Sequence, residues 1–256
     1  IAKALCSQWN VFAFDLQNEP WAASWGDGSY EKDWAKAAAR IGNAILDQCP
    51  RMLIFVEGVG NTPGAVGKPW AENRIPFWGE NFRGAHSATP PLQDMSKLIY
   101  SPHVYGPSVY FNKPYFNTHD FPQNLGQLYE DNFWRQRGNV PVIIGEFGGW
   151  YGDPNQKRDW RATGMGKDDR DQKDKLFQDY AVSWFCKKGI GIFYFGLTAD
   201  SMDTGGILES DYRTPVRSKL NLLRTLPSSS VLGAQYQQSW SAYDCCPPLP
   251  PLPPQP

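Results

Sequence analysis

Short, nearly continuous apolar runs alternate with amphipathic helical patterns along this chain, and that alternation limits its fold more than any other feature. Val11 to Leu16, Leu53 to Val56, Leu98 to Tyr100, Val140 to Ile144 and Ile190 to Phe195 read as five strands. Strands that are apolar on both faces and are separated by helices belong to parallel sheets covered on both sides. Between them, Ser29 is placed to cap a helix over 31–48 whose inward face is Trp34, Ala37, Ala38, Ile41 and Ile45. A second helix is expected near 121–137, with Leu125, Leu128, Tyr129 and Phe133 on one face. A third, over 171–188, turns Leu176, Phe177, Tyr180, Ala181 and Trp184 inward and ends on Lys187-Lys188-Gly189. Thr214-Pro215 reads as the cap and first residue of a last helix, and residues 1–8 as the end of an earlier one. Five strands are either an open sheet or a (β/α)8 barrel that lacks its first three βα units here.

Two of the strands stop at a glutamate. Phe14-Asp15-Leu16-Gln17-Asn18-Glu19-Pro20 and Ile143-Ile144-Gly145-Glu146-Phe147-Gly148-Gly149 both carry an apolar run to a carboxylate and then to strand-ending residues. A third run leads into Ser101-Pro102-His103-Val104-Tyr105, where His103 and Tyr105, two apart, point to the same side. The C-terminal tips of barrel strands are where catalytic groups stand. Two facing carboxylates are what glycoside hydrolysis needs, one as acid and the other as nucleophile or base. A lone Glu-Pro or Gly-Glu says little; three strand tips supplying Glu, His/Tyr and Glu say much more. Glu57, after the second strand, reads as a structural or subsite hydrogen-bonding group.

Composition narrows the partners. The chain of 256 residues has 25 Lys and Arg against 26 Asp and Glu, for a net charge of −1, and has no basic run to follow a nucleic-acid backbone. No apolar stretch has the length of a membrane span. The 11 Trp, 12 Tyr and 14 Phe are many. Trp21, Trp25, Trp70, Trp78 and Trp150 fall in segments that read as loops, where an aromatic face suits the flat side of a sugar. Trp25 and Trp78 are balanced between cleft wall and core packing. His86, His103 and His119 are the only histidines, and no His/Cys spacing suggests a metal site. Asp200 and Asp203 read as turn residues and the charged run 167–171 as a solvated face. Of the five cysteines, Cys6 and Cys49 are candidates to pair, Cys186 reads as a buried thiol, and Cys245 and Cys246 have no assignable partner. Residues 152–172 read as a polar, lid-like excursion. Residues 229–246 read as a C-terminal extension of a catalytic domain over 1–228. Residues 247–256 read as a proline-rich tail in polyproline II form.

Together, Asn18-Glu19-Pro20, His103-x-Tyr105, Gly145-Glu146-Phe147-Gly148 and Asp203-Thr204-Gly205-Gly206-Ile207-Leu208 resemble glycoside hydrolase family 5, the endoglucanase-type cellulases of the (β/α)8 clan. Ile54 to Val59, Trp78-Gly79-Glu80-Asn81 and Ser108-Val109-Tyr110 extend the likeness, which covers roughly residues 1–225. The resemblance implies a TIM barrel, N-terminally incomplete in this chain with about five of its eight strands. It implies Glu19 as general acid/base and Glu146 as nucleophile of a retaining reaction on internal β-1,4-glucosidic bonds. Asn18 would hold a sugar hydroxyl, and His103 and Tyr105 would hydrogen-bond around the carboxylates and the sugar. Phe195 stands where the family usually has Trp beneath the sugar, with Trp25 and Trp78 as further substrate contacts. No cofactor or metal is expected. The expected partner is a β-glucan polysaccharide or oligosaccharide, with no nucleic acid and no membrane, and the complete enzyme is expected to be a secreted monomer. The alternatives are a β-mannanase or other β-glucan hydrolase of the same family, or a carbohydrate-binding fragment without catalysis.

Overall fold

The computed structural model describes residues 1–60, 76–152 and 167–226, the side chains of 167–171 excepted. Trp70, most of the 152–172 excursion, the side chains of the charged run, the C-terminal extension, Cys245, Cys246 and the proline-rich tail lie outside that description. The described residues form two compact units, one from Ile1–Val104 and Leu128–Glu146, the other from Tyr105–Gln127 and those between Phe147 and Leu226.

In the first unit, α1 (Ala2–Leu5) precedes β1 (Ala13–Asp15), α2 (Trp34–Gln48), β2 (Leu53–Val56) and β3 (Leu98–Tyr100). The three strands are parallel in the order β1-β2-β3, with Phe14 opposite Ile54 and Phe55 opposite Ile99. Cys6 and Cys49 form a disulfide, as their positions suggested. The cap of α2 is Asp33, whose carboxylate accepts the Lys36 N–H; Ser29 instead accepts the Lys32 N–H in the turn before it. The buried face is Trp34, Ala35, Ala38, Ala39, Gly42 and Leu46, while Ile41 is exposed. The inward stripe is thus rotated from the expected one, because the small residues let α2 lie close to the sheet beneath it.

The expected third strand proves to be two. β4 (His103–Tyr105) is separated from β3 by Ser101-Pro102, and Pro102 has no N–H to continue a ladder. The strand bearing the second glutamate also differs. β5 spans Ile144–Gly148, so Glu146 lies within the strand rather than at its end. The preceding residues already run beside β3, Tyr100 donating to the Pro141 carbonyl and Ile143 to that of Tyr100. The helix expected near 121–137 is α3 (Asn124–Tyr129), followed by a wide turn over Glu130–Trp134 and a tight one over Arg135–Arg137. Its predicted apolar residues are all buried.

The second unit is built around Phe147. Its ring stacks on Phe177 of α4 (Lys167–Lys188) at 5.9 Å and meets Phe185 and Tyr194 edge-on at 5.6 and 5.9 Å. Tyr194 belongs to β6 (Ile192–Tyr194), and β4, β5 and β6 are hydrogen-bonded in that order. Tyr180, Ala181 and Trp184 are buried along α4 as expected, with Leu176 only partly so. Cys186 is buried but disulfide-bonded, not a thiol. The last helix, α5, spans Arg217–Leu223 and starts later than Thr214-Pro215 suggested, because Pro215 bridges to Leu208 and Thr214 is tied to the Asp211 carboxylate. Lys219 of α5 is wholly buried and donates to the carbonyls of Thr204 and Gly206, fixing the Asp203–Leu208 turn from below.

Candidate active site

Glu19, Glu57, His103 and Glu146 meet in the first unit. Each arrives from the C-terminal side of a strand or from within one: Glu19 after β1, Glu57 directly after β2, His103 at the start of β4 and Glu146 in β5. His103 stands at the centre. Its Nδ1 lies 3.0 Å from Glu19 Oε1 and 3.3 Å from Glu146 Oε2, and its Nε2 lies 3.2 Å from Glu57 Oε1. The ring is buried, while Glu19 and Glu146 are each about one-fifth exposed. The two carboxylates that sequence reasoning singled out therefore flank one imidazole nitrogen and remain open to solvent.

The charge on that imidazole follows from its surroundings. Burial alone disfavours it, and is the largest single effect. Hydrogen bonds with Glu19 and Glu57 and the charges of Glu57 and Glu146 together outweigh burial and raise the His103 pKa to about 10. His103 is thus an imidazolium at neutral pH, donating from both nitrogens. One ligand atom each from Glu19, His103 and Glu146 lie within 4.8 Å of one another, a spacing that would suit a metal ion. In the arrangement seen, His103 Nδ1 is turned toward both carboxylates.

Behind this group stands Asp15, which accepts the Ser101 hydroxyl at 2.9 Å and hydrogen-bonds with Glu57. Its carboxyl is pushed above the usual carboxylate range, first by the loss of hydration among the atoms crowding it and then by the charge of Glu57. Solvent reaches the outer side of Asp15. Gly79, at φ +76°, comes so close to Glu57 and His103 that a Cβ there would stand 3.0 Å from an atom of each. A glycine is what lets this turn pass between them.

Asn18 is exposed beside Glu19. Trp78 is 57 % exposed, open to a ligand. Trp25 is 1 % exposed; its Nε1–H donates to the Asn81 carbonyl at 2.7 Å, and its ring packs on Phe82 and Tyr100. Trp25 is therefore a core residue, with no free face for a sugar. In the second unit, Tyr105 meets Phe195 edge-to-face at 6.4 Å, and Phe195 keeps 39 % of its surface exposed.

Residues 1–201 match the family described as Cellulase (glycosyl hydrolase family 5). The chain belongs to glycosyl hydrolase family 5. Among its family 5 relatives, the major extracellular endoglucanase of Xanthomonas campestris pv. campestris is 38 % identical over 218 residues, covering 84 % of this chain and 40 % of that protein. An endoglucanase of Paenibacillus polymyxa is 34 % identical, over 90 % of this chain and 53 % of that one. Among solved structures, the hyperthermophilic endocellulase of the archaeon Pyrococcus horikoshii superposes with a TM-score of 0.75 at 36 % identity, covering 87 % of this chain and 59 % of that one. A substituted form of that enzyme has also been solved in complex with cellotetraose. The family 5 fold is the (β/α)8 barrel, of which this chain supplies a part, and it spans about half the length of the curated relatives it matches. The reading of Glu57 as a hydrogen-bonding group agrees with its contacts to Glu19 and His103, whereas Asp15 was passed over. The signal for Glu57 was present, since it ends an apolar strand just as Glu19 follows one.

Proposed function

We propose that this chain carries the catalytic carboxylates of a retaining endo-β-1,4-glucanase. The observation that supports the reading best is that Glu19 and Glu146 both reach Nδ1 of His103, with an oxygen of each within 4.8 Å of the other. That bound on one oxygen pair is compatible with the roughly 5–5.5 Å carboxyl separation of retaining glycosidases.

In this mechanism the Glu146 carboxylate attacks the anomeric carbon while the glycosidic C–O bond breaks and Glu19 gives its proton to the departing oxygen. The resulting glycosyl ester on Glu146 is cleaved by water, which Glu19, now ionised, deprotonates. The product keeps the β configuration, and both carboxyls return to their starting states. His103, as an imidazolium, steadies negative charge on whichever carboxylate carries it. Asn18, Tyr105, Phe195 and Trp78 are proposed as sugar contacts from the motif positions they hold. The names of the relatives favour β-glucan over mannan as substrate, and that of the Xanthomonas protein favours secretion. Among the described residues no helix is long and apolar enough to cross a membrane.

The test is reducing-sugar release from carboxymethyl-cellulose by this chain and by Glu146→Gln, with the anomer first formed read by NMR. Loss of at least about 1,000-fold in the variant, with oligosaccharide binding retained and a β-anomer first product in the parent, is expected. An unchanged rate would remove Glu146 from the mechanism. Binding without turnover in both would favour the carbohydrate-binding alternative.

A further inference from the structure

Glu19 is one of few non-glycine residues with left-handed backbone, at φ +47°. Such a conformation costs on the order of 1–3 kcal/mol and persists where surrounding bonds over-determine it. The bond that does so here is from Glu57. Its Oε2 accepts the Glu19 backbone N–H at 2.7 Å, across 38 residues of sequence. Its other oxygen, Oε1, takes His103 Nε2 at 3.2 Å. Glu57 is itself 2 % exposed and held on every side. Its carbonyl accepts Trp34 Nε1–H at 2.8 Å, the next residue, Gly58, donates to Gly79 at 2.9 Å, and its carboxyl meets Asp15.

We propose that Glu57 is a positioning residue for glycoside hydrolysis, one oxygen fixing the backbone that presents Glu19 and the other fixing the His103 ring between Glu19 and Glu146. The proposal rests on the reading of Glu19 as acid/base. Both oxygens are committed to donors, so an amide at this position satisfies only one of them. The groups facing His103 among the described residues are Glu19, Glu57 and Glu146, with Asp15 beyond Glu57. Replacing Glu57 by a neutral residue thus also removes one of the charges that keep the ring protonated.

The experiment compares kcat/KM of the parent chain, Glu57→Gln and Glu19→Gln on cellotetraose, whose leaving group needs a proton, and on 2,4-dinitrophenyl β-cellobioside, whose leaving group does not. A misplaced acid costs about 100-fold on the first substrate and less than about 5-fold on the second. Equal losses on both substrates would reduce Glu57 to a structural part and overturn the proposal. Glu19→Gln without this selectivity would instead overturn the reading of Glu19. If Glu57→Gln does not fold, Glu57→Asp is read on the same pair, because it keeps the charge but is too short to span both donors. A measurement independent of turnover is the NMR titration of the His103 ring, assigned with His103→Gln. The parent ring should hold its proton to about 10 and Glu57→Gln should release it at least about one pH unit lower; an unchanged titration would also overturn the proposal.

Discussion

Nδ1 of His103 lies 3.3 Å from Oε2 of Glu146, and it is the same nitrogen that lies 3.0 Å from Glu19. A charged ring in that place links the protonation of the site to the stability of the fold. The folded His103 pKa, about 10, is above its unfolded value of 6.5. Its contribution is therefore complete below about 6.5 and is lost as pH rises through about 10. The melting temperature of the parent chain should fall across that window more steeply than that of His103→Gln, as thermal scans from pH 6 to 10.5 would show. Parallel curves would mean the ring is neutral in the folded chain.

A buried carboxylate helps hold the loop that follows Glu146 and Phe147. Asp174 accepts the N–H groups of Tyr151 at 2.8 Å and Ser108 at 3.2 Å, together with Gln178 Nε2 at 2.7 Å. An asparagine has one oxygen for these donors and turns an NH2 toward the rest. Asp174→Asn should destabilise the chain by about 1–3 kcal/mol in urea titration, since each donor left facing another donor costs roughly that range. Gly149→Ala should do the same or worse, because its methyl group would run into the Asp174 carboxylate.

Phe195 offers a partly open ring braced by Tyr105. If it supports a sugar, Phe195→Trp should lower KM for cellotetraose about 2- to 10-fold and Phe195→Ala should raise it by a similar factor, with kcat little changed, since aromatic stacking is worth about 0.5–1.5 kcal/mol. Steady-state kinetics on the three forms decides it; an unmoved KM removes Phe195 from the binding surface.

Lys219→Met tests the turn above α5. The carbonyls of Thr204 and Gly206 lose an ammonium donor. A loss of about 2 kcal/mol is expected, with faster amide exchange confined to Gly205 through Leu208.

The positions of Glu19 and Glu146 were readable because apolar runs and strand-ending residues are local signals, and so was the Cys6–Cys49 pair. The division of residues 98–105 into two strands was less legible. Pro102 was in view, but which sheet each half joins depends on partners far along the chain. The face of α2 was misplaced because Ile41 and Ile45 outweigh Ala35, Ala39 and Gly42 on any hydropathy scale, while close packing on the sheet prefers the small side. Trp25 looked like a loop aromatic, and only Asn81, Phe82 and Tyr100 closing around it make it core. The double role of Glu57 was hidden for the same reason: Glu19 and His103, the two groups it holds, are 38 and 46 positions away.

The Cys6–Cys49 bond closes a covalent ring that contains β1, Glu19 and all of α2, with a sequence separation of 43. The exposed stretch from Gly26 to Lys32 lies inside that ring. A protease that cuts there leaves both ends tied together, so the nicked chain keeps its mass and separates into two pieces only under reducing conditions. Glu19 therefore stays tethered to the sheet that presents it after its own loop has been severed.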